Sequence, residues 1–120
     1  MDLSSLPPRP LTTRELAGLG ESDAFVAVRP VERFEFDAVD ETLVVAVVFV
    51  TSQGVRGAAF TPDTGWRVVH RDDRDGIEAL GDVPESAIAD AQRALRAEIT
   101  DLEGESGFAS QLVDAYTTHS

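Results

Sequence analysis

The stretch TLVVAVVFV, residues 42–50, decides the fold of this chain. Its last eight residues are all apolar, and five of them are valine. β-Branched side chains crowd a helix and pack well on a pleated surface, so the run is a strand. It does not alternate. A strand apolar toward both faces belongs inside a sheet that is covered on both sides. At eight residues it falls far short of the roughly 20 needed to cross a bilayer.

Upstream, AFVAVRPVERFEF (24–36) alternates with period two and reads as a strand. Pro30 marks an edge position or a bulge, because it has no N–H to donate to a ladder. DAVDE (37–41) supplies the turn between these two strands. Downstream, SQG turns the chain, VRGAAF (55–60) returns it, TPDTG turns it again and WRVVHR (66–71) forms a fourth strand. Connections this short join antiparallel neighbours, since parallel ones need a long crossover.

After Gly76 the apolar period becomes helical. Asp82 and Glu85 stand in capping-box spacing, Pro84 suits a first turn, and ESAIADAQRALRAEITDL (85–102) places Ile88, Ala91, Leu95, Ile99 and Leu102 on one stripe. Gly104 ends that helix. A shorter one follows, with Phe108, Leu112 and Tyr116 on one face. At the other end, SSLPPRPL is an extended, loosely held arm, and TTRELAGLG is a turn or two of helix opened by Thr12 and Glu15. The expected architecture is α+β. It has a four-stranded antiparallel β-meander, a long and a short C-terminal helix packed on it, and a short N-terminal helix after the arm. Residues 1–10 form the arm and residues 11–120 a single domain. One long helix covers one sheet face. The second face of Val44–Val50 then requires either the short helices or another subunit.

Composition narrows the function. The net charge is −12, all ten basic residues are arginine, and there is neither lysine nor cysteine. Disulfides, thiolate metal sites and cysteine nucleophiles are thereby excluded. Excess carboxylate without lysine is similar in composition to the proteins of salt-accumulating halophiles, whose acidic surfaces act first as a solvation device. The charge is uneven: residues 75–120 carry ten acids and two arginines, for −8, while residues 24–74 carry eight acids and six arginines, for −2. MDLSSLPPRPL has neither a basic n-region nor an apolar h-region, so the expectation is a cytoplasmic protein without a membrane segment.

GWRVVHRDDRDG (65–76) holds the only tryptophan and one of two histidines. As a calcium loop it fails, because alignment on Asp73, Asp75 and Gly76 leaves Arg71 first and Asp82 last, where a carboxylate and a bidentate Glu are needed. Only His70 and His119 offer imidazole, too few for a transition-metal site, so no metal and no cofactor are expected. GxSxG is absent, and GLGESD (18–23) has Asp23 where a dinucleotide fingerprint needs glycine.

What remains is arginine. Arg29 and Arg33 are expected on one face of the first strand, Arg67 and Arg71 on one face of the last, with Arg56 between. Trp66, Val68 and His70 are expected to share a face. Such a set can bind carboxylate or phosphate, or can pair with neighbouring acids.

The leading expectation is an interaction module without catalytic activity, a homo-oligomer or the ligand of a protein partner. It would self-associate through Val44, Val45, Val47, Val48 and Phe49. A second reading is a small-molecule or enzymatic cleft near Trp66, Arg67, His70 and Arg71. A third is a nucleic-acid-associated regulator using the arginine face, which the net charge disfavours.

Overall fold

The structure, a computed structural model, describes residues 6–22, 25–36, 39–105 and 107–119, the last without its side chain. Asp23, Ala24, Asp37 and Ala38, named above, lie outside the described residues, as do residues 1–5 of the arm. In chain order the elements are β1 (Leu11–Thr12), α1 (Thr13–Gly20), β2 (Ala27–Phe36), β3 (Val39–Thr51), β4 (Gly54–Thr61), β5 (Gly65–Asp73), α2 (Glu85–Glu103) and α3 (Phe108–His119). The α+β architecture expected from the sequence is the one observed.

β3 is the centre of the sheet. One edge of it pairs with β2 along nearly its whole length. Its other edge pairs with β4 over Ala46–Thr51 and, where β4 turns away, with β1 at Val44 and Leu43. β1 is the fifth strand. Two residues give no periodic signal, and this pair exists because it fills the piece of β3's ladder that β4 leaves open. β5 pairs with β4, so β2 and β5 are the two outer strands.

Every residue from Leu43 to Val50 is buried within the chain, with 0 % exposure. On one side, α2 and α3 bring Ala87, Ala91, Leu95, Ile99, Phe108 and Leu112 against Val45, Val48 and Val50. Ion pairs tie α2 to both outer strands, Arg96 to Glu32 at 3.9 Å and Glu98 to Arg67. On the other side, Leu11 and Leu16 cluster with Val44, Val47, Phe49 and Ala58, and Leu6, Leu19 and Phe25 pack around them. The N-terminal segment therefore closes the second face. This corrects the expectation that Val44, Val45, Val47, Val48 and Phe49 meet a second copy: they have no surface left to offer.

The N-terminal cover is held at several points. Thr12 caps α1 by accepting the N–H of Glu15, and Glu15 accepts the N–H of Thr12, the reciprocal box that the sequence spacing implies. Arg9 grips the Glu15 carboxylate through both terminal nitrogens, at 2.8 and 2.7 Å, and lies 5.3 Å from the centre of the Tyr116 ring. The Trp66 indole donates to the Arg9 carbonyl at 3.0 Å. Where described, then, the arm is pinned rather than loose.

The Asp82–Glu85 capping box does not form. Asp82 instead accepts the backbone N–H groups of Glu78 and Ala79 around a short 3-10 turn, and Pro84 caps α2 without a side-chain bond.

Candidate functional site

Bulges decide where the arginines point. In β2 the register with β3 slips between Pro30 and Glu32 and again between Glu32 and Arg33. In β5 it slips where Gly57 faces His70 but Ala58 faces Val68, leaving Val69 as the extra residue. The first β2 slip leaves Val31 as an extra residue of β2, and the second leaves Val45 as an extra residue of β3. In β2 and β5 it is the extra residue on the strand itself, Val31 or Val69, that shifts the phase of the side chains that follow.

Arg29 stands opposite Val48, on the helical side, and lines a groove of about 680 Å³ with Leu80, Val83 and Ile88. Arg33 stands opposite Val44, on the N-terminal side, beside Thr13, Glu35 and Thr42. The same happens in β5. Arg67 and His70 face α2, whereas Val68 and Arg71 face the N-terminal side, level with Ala58 and Arg56. The single-face groupings Arg29/Arg33, Arg67/Arg71 and Trp66/Val68/His70 are thus corrected: period two carries no information across a bulge. β2 and β5 are also three strand spacings apart, about 14 Å. There is no continuous arginine face.

Most arginines are occupied. Arg56 is buried in β4 and donates to the Val55 carbonyl at 3.0 Å and to Asp73 at 2.7 Å. Arg71 shares Asp73 at 3.0 Å, and Arg74 pairs with Asp72 at 3.2 Å. The Arg71 hydrogen bond, with Arg56 behind it, holds the Asp73 carboxyl below the usual carboxylate range. RVVHRDDRD is therefore an ion-paired strand end, its three Asp side chains spread along the chain rather than converging. Among the described residues no three His, Asp or Glu groups approach a metal geometry. Arg29 and Arg33 alone have no ion-pair partner there.

Trp66, Arg67, His70 and Arg71 do share one element, the outer strand β5, but not one cleft. Trp66 faces the arm and stacks obliquely on Phe60, with ring centres 5.8 Å apart. His70 is half-buried beside Gly57, whose missing Cβ leaves room for both His70 and Leu95 of α2. Between Arg67 and Arg71 lies Val68, the one large apolar side chain exposed among the described residues, at 45 %.

One grouping escaped the sequence reading. Phe34 and Phe36 on β2, with Phe108 opening α3, line a groove of about 290 Å³ beside Glu103 and Glu105. The Phe34 ring centre is 6.1 Å from that of Phe36 and 6.3 Å from that of Phe108, which meets it edge-on at 80°. The sequence signal was FEF at the end of a strand and Phe at the start of a helix. Each reads separately as core, and only the tertiary fold brings them together.

These features define a small α+β domain that closes both faces of its sheet with its own chain and keeps its accessible chemistry on the outer strands and one aromatic groove. The chain belongs to the family described as a domain of unknown function, DUF7964, which matches residues 2–102. That span includes the whole sheet and nearly all of α2 and stops before α3. No curated protein and no solved structure matches the chain. Among the described residues no helix is long and apolar enough to cross a membrane.

Proposed function

We propose that this chain is a small interaction module that self-associates edge to edge through β5. The observation that carries this reading is Val68, exposed on a nine-residue outer strand whose far side pairs with no other described strand. Such a strand presents a row of backbone donors and acceptors, and a second copy can continue the ladder.

Two comparisons favour β5 and a second copy as its occupant. β2, the other outer strand, is blunted by Pro30 and by three register shifts, whereas β5 has one. Repulsion between two chains of charge −12 is smallest where the surface is balanced, and β5 carries two arginines and two aspartates while residues 75–120 carry −8. A two-fold pairing of identical strands is also the simplest closed assembly.

The test is molar mass by light scattering during gel filtration in about 2 M KCl, where charges are screened beyond about 3 Å. The expected result is twice the chain mass for the native sequence and the chain mass for Val68→Lys, a substitution at an exposed position that blocks edge pairing. A native chain that is monomeric under these conditions, or a Val68→Lys variant that still dimerises, refutes the proposal.

A further inference from the structure

The aromatic groove has a composition that self-association does not use. Its walls include three phenylalanine rings, with Ala109, Ser110 and Leu112 of α3 beside them: Phe108 is 5 % exposed, and Phe34 and Phe36 are half-buried. Its rim carries two carboxylates, Glu103 at the end of α2 and Glu105 just beyond. Among the described residues neither has an ion-pair or side-chain hydrogen-bond partner.

We infer that this groove binds a small alkylated ammonium ion, a cation whose charge is wrapped in methyl groups. Three properties point to that class. Ring faces carry negative potential and attract a cation lying within about 6 Å of their centres. Phe34 and Phe36, two residues apart on β2, and Phe108, edge-on to Phe34, offer ring surface from two elements, β2 and α3. Apart from Ser110 and the two rim carboxylates the lining side chains are apolar, and this selects among cations. A small, strongly hydrated ion would surrender its water shell to phenylalanine, which cannot replace it, whereas methyl groups gain by leaving water. Glu103 and Glu105 supply the opposite charge at the mouth, where both stay solvated and need no direct contact. The volume, about 290 Å³, sits at the small end of ligand sites, which span about 300–1,000 Å³. It suits a headgroup rather than a peptide.

The probe is choline, titrated into the full chain in about 2 M KCl, so that general attraction of cations to an acidic surface is screened. The readout is the proton shift of its methyl groups, which stacked rings move upfield. The expected result is a saturable shift. The uncharged isostere, with carbon in place of nitrogen, binds at least about fivefold more weakly, as loss of the cation–ring attraction requires. Phe36→Ala weakens choline by about fivefold. The exposed double variant Glu103→Gln, Glu105→Gln leaves the fold untouched, changes choline binding little in about 2 M KCl and weakens it by about two- to threefold at about 0.1 M, where the carboxylates act across solvent. A shift that stays linear in choline, an isostere that binds as well as choline, or the same affinity in Phe36→Ala overturns the inference. Loss of dimerisation in Val68→Lys leaves choline binding unchanged, so the two proposals fail separately.

Discussion

Leu16→Ala tests whether the chain itself closes the N-terminal face of its sheet. Leu16 is the buried residue of α1, at 5 % exposure. α1 has eight residues, and isolated helices below about 12–15 residues are marginal in water. It therefore holds its place through the Thr12–Glu15 box and through the cluster Leu16 forms with Val44, Val47 and Phe49. The substitution removes three methylene-sized groups at about 0.8 kcal/mol each, or about 2.4 kcal/mol of burial. α1 is a single short helix over the face of β3 and can settle inward, so little cavity remains. The expected loss is about 2–3 kcal/mol, the lower part of the range for buried leucine. Urea unfolding followed by circular dichroism, in about 2 M KCl, reads this as a lower midpoint with an unchanged slope. A lifted α1 also uncovers Val44, Val47 and Phe49, so the variant binds a hydrophobic dye that the native chain does not. A loss below about 0.5 kcal/mol, the level of an ordinary surface change, with no dye binding, would refute the closure of this face by α1.

Two further perturbations probe the β3–β4 hairpin and the anchor of the N-terminal cover. Gly54 has φ +140°, and a Cβ there would lie 2.1 Å from the Asp72 carbonyl oxygen and 3.0 Å from Arg56 Nη1. Gly54→Ala should cost about 3 kcal/mol or more in the same urea assay, and a variant as stable as the native chain would contradict the hairpin geometry. The hydrogen bond from Arg9 holds the Glu15 carboxyl below its ordinary value, opposed by partial burial and aided by the Thr12 backbone. Because the folded-state value is depressed, the stabilisation is complete above the unfolded-state value, near pH 4.5, and is lost as pH falls through the folded-state value. Glu15→Gln should flatten that part of an acid-unfolding profile; an unchanged profile would mean that the Arg9 grip contributes nothing to stability.

The parts of the fold that sequence reading recovers are those carried by composition within one element. TLVVAVVFV reads as a strand covered on both sides because burial on two faces removes alternation, and the covered strand is what the fold contains. The stripe through Ala91, Leu95 and Ile99 reads as a helix face because one helix repeats its own geometry. The question left open at Val44–Val50, a second subunit or the chain itself, turns on Leu11, Leu16 and Phe25. Their spacing carries no period that links them to the sheet. Asp82 shows the opposite failure: its spacing to Glu85 satisfies a capping pattern, but the N–H groups of Glu78 and Ala79 lie nearer and take its carboxylate.

The surface chemistry is set by three breaks in alternation, one each in β5, β2 and β3. Val69 is the extra residue of β5, Val31 sits at the β2 slip beside Pro30, and in β3 both Val45 and Ala46 join the helical cluster, so alternation slips there as well. Without these slips Arg29 and Arg33 would fall together, and so would Arg67 and Arg71, making two single-face basic pairs. With them, Arg67 turns to Glu98 and Arg71 to Asp73, while Val68 is left exposed between them. The two basic pairs are thereby split, Arg29 and Arg33 onto opposite faces and Arg67 and Arg71 into separate ion pairs, and the one large apolar side chain exposed among the described residues stands on an outer strand. The bulge at Val69 ends the regular register that places Val68 opposite Ala58, and beyond it His70 turns to α2 and Arg71 to the other face.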